Sequence, residues 1–482
     1  MAAFFCARLR SWRRLMKINI GNFGPIKGDA EIEPGRLTVI SGANNTGKTY
    51  LMYVLWALYQ RRVTYVFDFS NGLANELAAK NTLRIDFVEF FSEHWGVIQR
   101  GITEGLKRNL YDIFSAPAGA FSGASISVKF DKDKFVDFAG RSSSYKKRME
   151  SGATGLDVRF HREKGILWLS ISMLSASTFP KALLAEILSA LVMEMVIGAY
   201  ARGAFLLPAE RSGLNLFYPD LDAKSSAILR HLKRDANNPF ELIKDMMVAQ
   251  YAEPIDAYLS FLRQAPRITR KPGEMHVEAL RLQKDLARVR YKVSKDGVIS
   301  VKPYRAKTDL GIHLASSTVK SFYGLWAWLE GAAKAGDCVM IDEPELNLHP
   351  DNQRLVARLL VRLVNIGMRV VISTHSDYIV REISNMIMLS QDFPERRSLE
   401  KKFGYNQDGA ERMSPDLVAA YAFSDNGVER SEVSAGFGIE VVGLDRSINS
   451  LNESNSSIYF AVSECINPFS DAKAVDVSGE KV

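Results

Sequence analysis

The stretch SGANNTGKTY, Ser41 to Tyr50, constrains this chain more than any other, because of what flanks it. A strand-like run, RLTVI at Arg36–Ile40, comes before it, and an apolar, helix-like segment, YLMYVLWALY, begins at its last residue. Strand, Gly-rich loop and helix in that order are the setting of a phosphate-binding loop, here Gly42-x4-Gly47-Lys48-Thr49. Glycines let backbone N–H groups converge on phosphate oxygens at a helix N-terminus, where the helix dipole favours negative charge. Lys48 is expected to reach the β- and γ-phosphates of ATP, and Thr49 to ligate Mg2+. Gly42, Asn44, Asn45, Thr46, Gly47, Lys48 and Thr49 form the expected nucleotide-binding set. For Asn45, turn formation alone would also justify the residue.

A second motif lies near the other end of the chain. CVMIDEPELNLHP, Cys338 to Pro350, is an apolar run closed by two adjacent carboxylates. At the end of a strand beside a phosphate loop, Asp342 would hold magnesium through water, and Glu343 would orient or deprotonate the attacking water as general base. A helix is expected from about Asp351 to Ile366. RVVISTHSDYIV, Arg369 to Val380, then places His375 at the carboxyl end of another apolar strand, in the kind of crevice where open α/β sheets bind ligands. There His375 would contact the γ-phosphate.

Composition narrows the class. With 482 residues, 47% hydrophobic and 24% charged, the chain has an ordinary globular balance and length for two or three lobes. Its three cysteines, Cys6, Cys338 and Cys465, are too scattered for a disulfide framework or metal cluster, which points to a reducing interior and a cytoplasmic location. Ala182–Tyr200 is the most membrane-like segment, but Glu186 and Glu194 within it favour a helix packed inside the protein, so no membrane span or membrane partner is expected. The basic start MAAFFCARLRSWRRL reads as an extension upstream of the true start or a disordered tail, with a targeting arm as the lesser alternative. A net charge of +7, with Lys and Arg bunched at Arg8–Arg14, Lys146–Arg148, Arg263–Lys271 and Arg288–Lys307, suits a polyanionic partner such as DNA, although solvated faces look the same.

Taken together, the phosphate loop with paired asparagines, the IDEPELNLHP block and the STHSDYIV block resemble the ABC-type ATPases of the RecF, SMC and OLD (overcoming lysogenization defect) kind. FLLPAERSGL at Phe205–Leu214 and IHLASSTVKSFYGL at Ile312–Leu325 fit the same group. The resemblance implies an α/β, ABC-type ATPase head built on a mixed sheet with a P-loop. It implies Mg2+ as cofactor with ATP, and a homodimer or higher homo-oligomer whose two heads sandwich the nucleotide. Ser316 or Ser317 would take the signature role, touching the γ-phosphate bound by the partner copy. This chain has Ser-Ser-Thr-Val where the common pattern has Ser followed by two glycines, which leaves that register open. A capped helix start accounts for the same residues. The Pro208–Gly213 turn would occupy the place of the loop that senses nucleotide and magnesium, unless Glu210 and Arg211 are a surface ion pair.

From Lys48 to Asp342 is 294 residues, so a large mixed, mainly helical lobe is expected between the two motifs. Helices are anticipated within Leu73–Phe114, Lys181–Tyr200 and Phe240–Leu262, strands at Ser125–Phe130 and Ile166–Met173, and exposed connections at Ala116–Ala124 and Pro266–Gly273. The expected organisation is a basic extension over 1–15, head segments over 16–65 and 201–215, an α/β lobe over 66–200, a helical and basic insert over 216–305, the second half of the head over 306–470 and a polar tail over 471–482. Short strands at Asp416–Tyr421 and Ile439–Gly443 would complete the head. OLD relatives commonly carry a Toprim nuclease needing Asp-x-Asp. Here the pattern occurs only at Asp131–Asp133 and Asp220–Asp222, which read as turns, so no nuclease is expected. The resemblance then implies an ATP-driven switch that acts on an effector protein from a neighbouring gene, as in bacterial anti-phage systems. The alternatives are a RecF-like DNA-repair clamp and, less favoured, the energising subunit of a transporter.

Overall fold

The computed structural model describes residues 16–117, 119–141, 145–151, 154–174, 179–218, 251–294, 298–440, 450 and 452–462. At its centre is a six-stranded mixed sheet, in the order β16-β15-β3-β14-β13-β9. Its members are β3 (Leu37–Gly42), β9 (Ala204–Leu207), β13 (Cys338–Asp342), β14 (Arg369–Thr374), β15 (Val418–Ser424) and β16 (Gly427–Ser431). The first five run parallel, and β16 closes one edge antiparallel to β15.

Sequence explains why this sheet is sandwiched. β13 and β14 are buried at every position, the pattern of parallel strands covered on both faces. Their side chains divide with a period of two. Ile40, Cys338, Met340 and Val371 enter one core, whereas Leu37, Val39, Val339, Ile341, Val370 and Ile372 enter the other. Helix α1 (Lys48–Tyr59) lies against the first face with all but Thr49 and Tyr50 buried. Each large apolar side chain so buried contributes roughly 1.5–3 kcal/mol relative to leaving it in water.

Between α1 and β9 the chain forms α2 (Asp68–Lys80), β4 (Thr82–Asp86), α3 (Phe87–Phe114), β5 (Ser125–Phe130), α4 (Lys132–Arg141), β6 (Tyr145–Ser151), β7 (Thr154–Glu163), β8 (Ile166–Met173) and α5 (Lys181–Tyr200). Strands β4, β8, β7 and β6 make one antiparallel sheet. β5 instead joins the first two strands, β1 (Met16–Phe23) and β2 (Ile26–Ile32), so the inserted segment is stitched into the sheet that covers the phosphate loop. α5 is long and apolar enough to cross a membrane, and half of its most apolar window is buried. It packs against α2, with Leu184, Leu188, Val192 and Val196 inside.

After β9, a helix over 211–218 (α6) follows a turn. Beyond residue 250 come α7 (Glu253–Ile268), the small antiparallel sheet β10 (Val289–Val293), β11 (Ile299–Pro303) and β12 (Leu310–Gly311), then α8 (Ser317–Gly331). α9 (Pro350–Asn365) and α10 (Asp377–Met388) each follow a strand of the central sheet.

Several local expectations need correction. Leu73–Phe114 is two helices separated by β4: Asn81 ends α2 in the left-handed conformation, and Asp86 caps α3 by accepting from the N–H groups of Val88 and Glu89. Pro266 lies inside α7, so the connection begins after Ile268. Asp131 accepts from the N–H of Lys134 and so starts α4, where a turn was anticipated. The strand expected at Asp416–Tyr421 starts at Val418, because Pro415–Leu417 form a 3-10 turn. The helix expected at Phe240–Leu262 is described from Glu253. Residues 1–15, Asp220–Asp222, 240–250, 441–443 and 471–482 lie outside the described residues.

Candidate active site

The carboxyl ends of three neighbouring strands supply the site. Register places Asp342 beside Ser373, and Thr374 beside Ser41, so the loop after β3, the acids after β13 and the histidine after β14 emerge together. In the loop, Gly42 has φ 143° and Gly47 φ 96°. A Cβ on Gly47 would sit 2.4 Å from the Ile26 side chain, and one on Gly42 would sit 2.0 Å from the Phe423 carbonyl oxygen. Conformation and space both demand glycine at the two positions. Thr46 braces the loop by donating its hydroxyl to the Ala43 carbonyl at 2.8 Å. Asn44 and Asn45 are exposed on it.

Helix α1 starts at this loop with Gly47 as N-cap, no side-chain cap and no acid in its first turn. Its first N–H groups therefore lack a side-chain acceptor, and the local charge is positive. Lys48 is only 6% exposed, and its ammonium donates to the carbonyls of Gly42 at 3.1 Å and Ala43 at 2.7 Å. Burial lowers its pKa, while Glu343, Asp342 and Glu345 act in the opposite sense. A polyphosphate would satisfy both the helix terminus and the lysine.

Asp342 is buried. Its Oδ2 accepts from the Thr49 hydroxyl at 2.9 Å, and its Oδ1 from the Ser373 hydroxyl. Thr49 and Asp342 thus offer a pair of hard oxygens beside the loop, a donor set that fits magnesium, which takes one or two protein ligands and completes its shell with water and phosphate. No cluster of three or more His, Cys, Asp or Glu suited to a metal occurs among the described residues.

Glu343 adopts φ 49°, a left-handed conformation that costs a non-glycine residue of order 1–3 kcal/mol. It is held from two sides. Its N–H donates to the Ser373 carbonyl at 3.1 Å and hydroxyl at 3.0 Å, and its carbonyl accepts from Arg211 Nη2 at 2.8 Å. Arg211 is fully buried, and its Nη1 also donates to the carbonyls of Asp342 at 2.7 Å and Pro208 at 3.2 Å. The surface ion pair considered for Glu210 and Arg211 is therefore ruled out for Arg211: it is buried, both of its Nη groups donate to backbone carbonyls, and burial lowers its pKa. The flip at Glu343 leaves its carboxylate 27% exposed, with Oε1 3.4 Å from His375 Nε2. That separation suits an ion pair, and His375 Nε2 makes no protein hydrogen bond.

Glu345 is a participant the sequence reading overlooked. Its carboxylate accepts from the His375 N–H at 2.5 Å and from the Thr374 hydroxyl at 2.9 Å, fixing the strand end that carries the histidine. Burial raises its pKa against the opposing effect of those hydrogen bonds. The signal was present as a third acid in IDEPE. Ser373, equally unremarked, spans the Asp342 side chain and the Glu343 backbone.

The structure thus brings together Gly42–Thr49, Asp342, Glu343 and His375. Ser316 and Ser317 stand elsewhere. Ser316 caps α8 by accepting from the Val319 N–H at 3.4 Å, both serines are exposed, and neither has a hydrogen bond to the loop or the acids among the described residues.

Comparison with curated proteins returns no match. Among solved structures, the chain is similar to an SMC head bound to the C-winged helix domain of ScpA (11% identity over 86% of this chain and 96% of that one, TM-score 0.32). It is also similar to an Smc head with an extended coiled coil bound to the C-terminal domain of ScpA, derived from Pyrococcus furiosus (12%, 92% and 100%, TM-score 0.31). A third is the SMC head domain from Thermotoga maritima (12%, 87% and 99%, TM-score 0.32). These likenesses are distant. A family model for the AAA ATPase domain, by contrast, matches residues 14–154 and 212–380, well over half of the chain, including the phosphate loop, Asp342, Glu343, Glu345 and His375. The chain belongs to the AAA ATPase domain family and is an ATPase.

Proposed function

We propose that this ATPase is a dimeric switch in which ATP closes two copies on each other and hydrolysis lets them part. The observation that carries the reading is the Glu343 carboxylate, half-buried at the strand ends beside the Thr49–Asp342 pair and 3.4 Å from His375. In this reading Lys48 and the first turn of α1 hold the phosphates, and Thr49 and Asp342 hold Mg2+. When bound, the metal neutralises charge on the β- and γ-phosphate oxygens. Glu343 accepts the proton of the attacking water, and His375 Nε2 positions a γ-phosphate oxygen. Arg211 and Ser373 keep the Glu343 backbone in its left-handed turn. The exposed Ser316 and Ser317 make no hydrogen bond to the phosphate loop of their own chain among the described residues, in keeping with a role at the loop of a second copy.

The output of the switch, in this proposal, passes to an effector protein from a neighbouring gene in anti-phage defence. The sequence after Asp342 holds no Asp-x-Asp with which to bind nuclease metals, in keeping with an effector on another chain. A DNA-repair clamp is a second reading favoured by one observation. Arg290 and Lys302 face each other across β10 and β11, a like-charge pair that costs stability unless an anion lies over it, and Tyr304 beside Arg290 is half exposed.

The deciding experiment measures ATP turnover and assembly mass for wild type and Glu343→Gln, with and without double-stranded DNA. Loss of the base should cut turnover by roughly 10²–10⁴ and hold an ATP-bound dimer. Turnover in Glu343→Gln equal to wild type would falsify the assignment of the base, and a trapped form that stays monomeric would end the switch reading. DNA held by the trapped form, lost in Lys302→Glu and at high salt, would favour the clamp. A DNA-indifferent dimer that co-purifies with the co-expressed neighbour favours the effector.

A further inference from the structure

Helix α6 makes contact in two directions. On one side Arg211 donates to the carbonyls of Asp342 and Glu343, the proposed magnesium ligand and general base, and makes no hydrogen bond to the phosphate loop among the described residues. On the other side its next residue, Ser212, shares a hydrogen bond with Ser321 of α8. One turn on, Asn215 donates to the Lys320 carbonyl at 2.7 Å. Asn215 is itself fixed, because the buried Tyr258 of α7 donates to its Oδ1 at 2.7 Å. Tyr258 in turn abuts α8 so closely that a Cβ on Gly324 would sit 2.0 Å from its hydroxyl oxygen. Arg211, Asn215, Tyr258 and Ser321 are buried and Ser212 is half-buried, so these hydrogen bonds are largely shielded from water, where an unmade one is costly.

α8 is the helix that Ser316 caps. Helix α6 therefore connects the turn at Glu343 with the helix that presents the exposed serines. Glu343 depends on that connection more than an ordinary residue would. Its left-handed φ is not a resting preference, and a guanidinium fork on two successive carbonyls is the kind of support that a lone ammonium cannot reproduce.

We propose that α6 is a coupling strut: Arg211 is a positioning residue that sets the Glu343 turn, and Ser212 and Asn215 tie that setting to the position of α8. Docking of a second copy against the start of α8 would thereby adjust the general base in the same chain. The proposal deepens the switch reading above and rests on Glu343 as the base.

The test compares wild type with Lys48→Ala, Glu343→Gln, Arg211→Lys, Ser212→Ala, Ser321→Ala and the double variants Arg211→Lys/Glu343→Gln and Ser212→Ala/Ser321→Ala. ATP affinity is read with a fluorescent nucleotide, turnover at saturating ATP, and folding by thermal unfolding. Arg211→Lys should lower kcat by roughly 10- to 100-fold, the scale expected for a misplaced catalytic group, with ATP affinity kept. In the Glu343→Gln background the same change should have no further effect on turnover. Ser212→Ala and Ser321→Ala should each lower kcat several-fold, and together no more than either alone. Unchanged kcat in Arg211→Lys, or loss of ATP affinity in step with kcat, overturns the positioning role. Wild-type kcat in both serine variants overturns the link to α8, and they decide the matter should Arg211→Lys fail to fold. Glu343→Gln with wild-type turnover sinks the base assignment itself, a result distinguishable from failure of the strut alone.

Discussion

The two corners of the nucleotide site are built in opposite ways. Around Lys48 the backbone is mostly set locally: two positive-φ glycines, a threonine bracing the loop and an uncapped helix start all fall within Gly42–Thr49, with Ile26 and Phe423 packed against the glycines. Around Glu343 the supports cross the fold: Ser373 arrives from β14 and Arg211 from the start of α6, while Glu345, two residues on, reaches over to hold the His375 backbone. A corner made of one short loop can bind phosphate wherever its strand and helix are present. A corner assembled from three strands exists only when the whole sheet is folded, and it can be moved by whatever moves its neighbours.

The largest effect belongs to the local corner. Lys48→Ala removes a charged donor that no other residue of the loop replaces. Affinity for ATP should fall on the order of 100-fold, equivalent to about 3 kcal/mol of charge-assisted hydrogen bonding. Titration with a fluorescent ATP analogue measures it. Retention of wild-type affinity would mean that phosphate is bound elsewhere and would remove one side of the comparison.

A smaller, differently shaped loss is expected at the distant corner. His375→Ala leaves the loop and α1 untouched, so ATP should bind as before while kcat falls about tenfold, less than a fully committed donor to transition-state charge supplies. Steady-state kinetics separate the two parameters. A raised KM with unchanged kcat would place the histidine among the binding groups and blur the distinction between the corners.

This contrast accounts for what could be read in advance. The phosphate loop was legible because its constraints sit within eight residues and have one conformational solution. β13 and β14 were legible because strands buried on both faces must be continuously apolar. Arg211 was not, since a basic residue in a turn looks like solvent-exposed charge until the Asp342 and Glu343 carbonyls are placed over it. Glu345 stood in plain view within IDEPE, but its task is to hold a residue thirty positions later in the chain. β4 was hidden inside an apparently helical stretch because its partner, β8, is far along the sequence. In each case the missing information was a pairing across the fold.

Glu345 also offers the finest test of the distant corner, through pH. Its carboxyl is half-buried, and that burial holds its pKa above the usual value in the folded protein. The folded state therefore binds this proton more readily than the unfolded state, so the group opposes folding once pH exceeds the ordinary glutamate range. Stability should fall as pH rises from the unfolded pKa through the folded one, and then level off. Glu345→Gln cannot titrate, and the difference in Tm between wild type and variant should shift in the variant's favour across that window. The variant should nonetheless lose some kcat, because an amide accepts on only one of its two heavy atoms and cannot hold both the His375 N–H and the Thr374 hydroxyl. Thermal unfolding from pH 4 to 8 beside turnover at pH 7 reads both effects. A pH-independent Tm difference would show that the charge is balanced locally, and unchanged turnover would show that His375 keeps its place without Glu345, leaving the distant corner less dependent on its supports than the geometry requires.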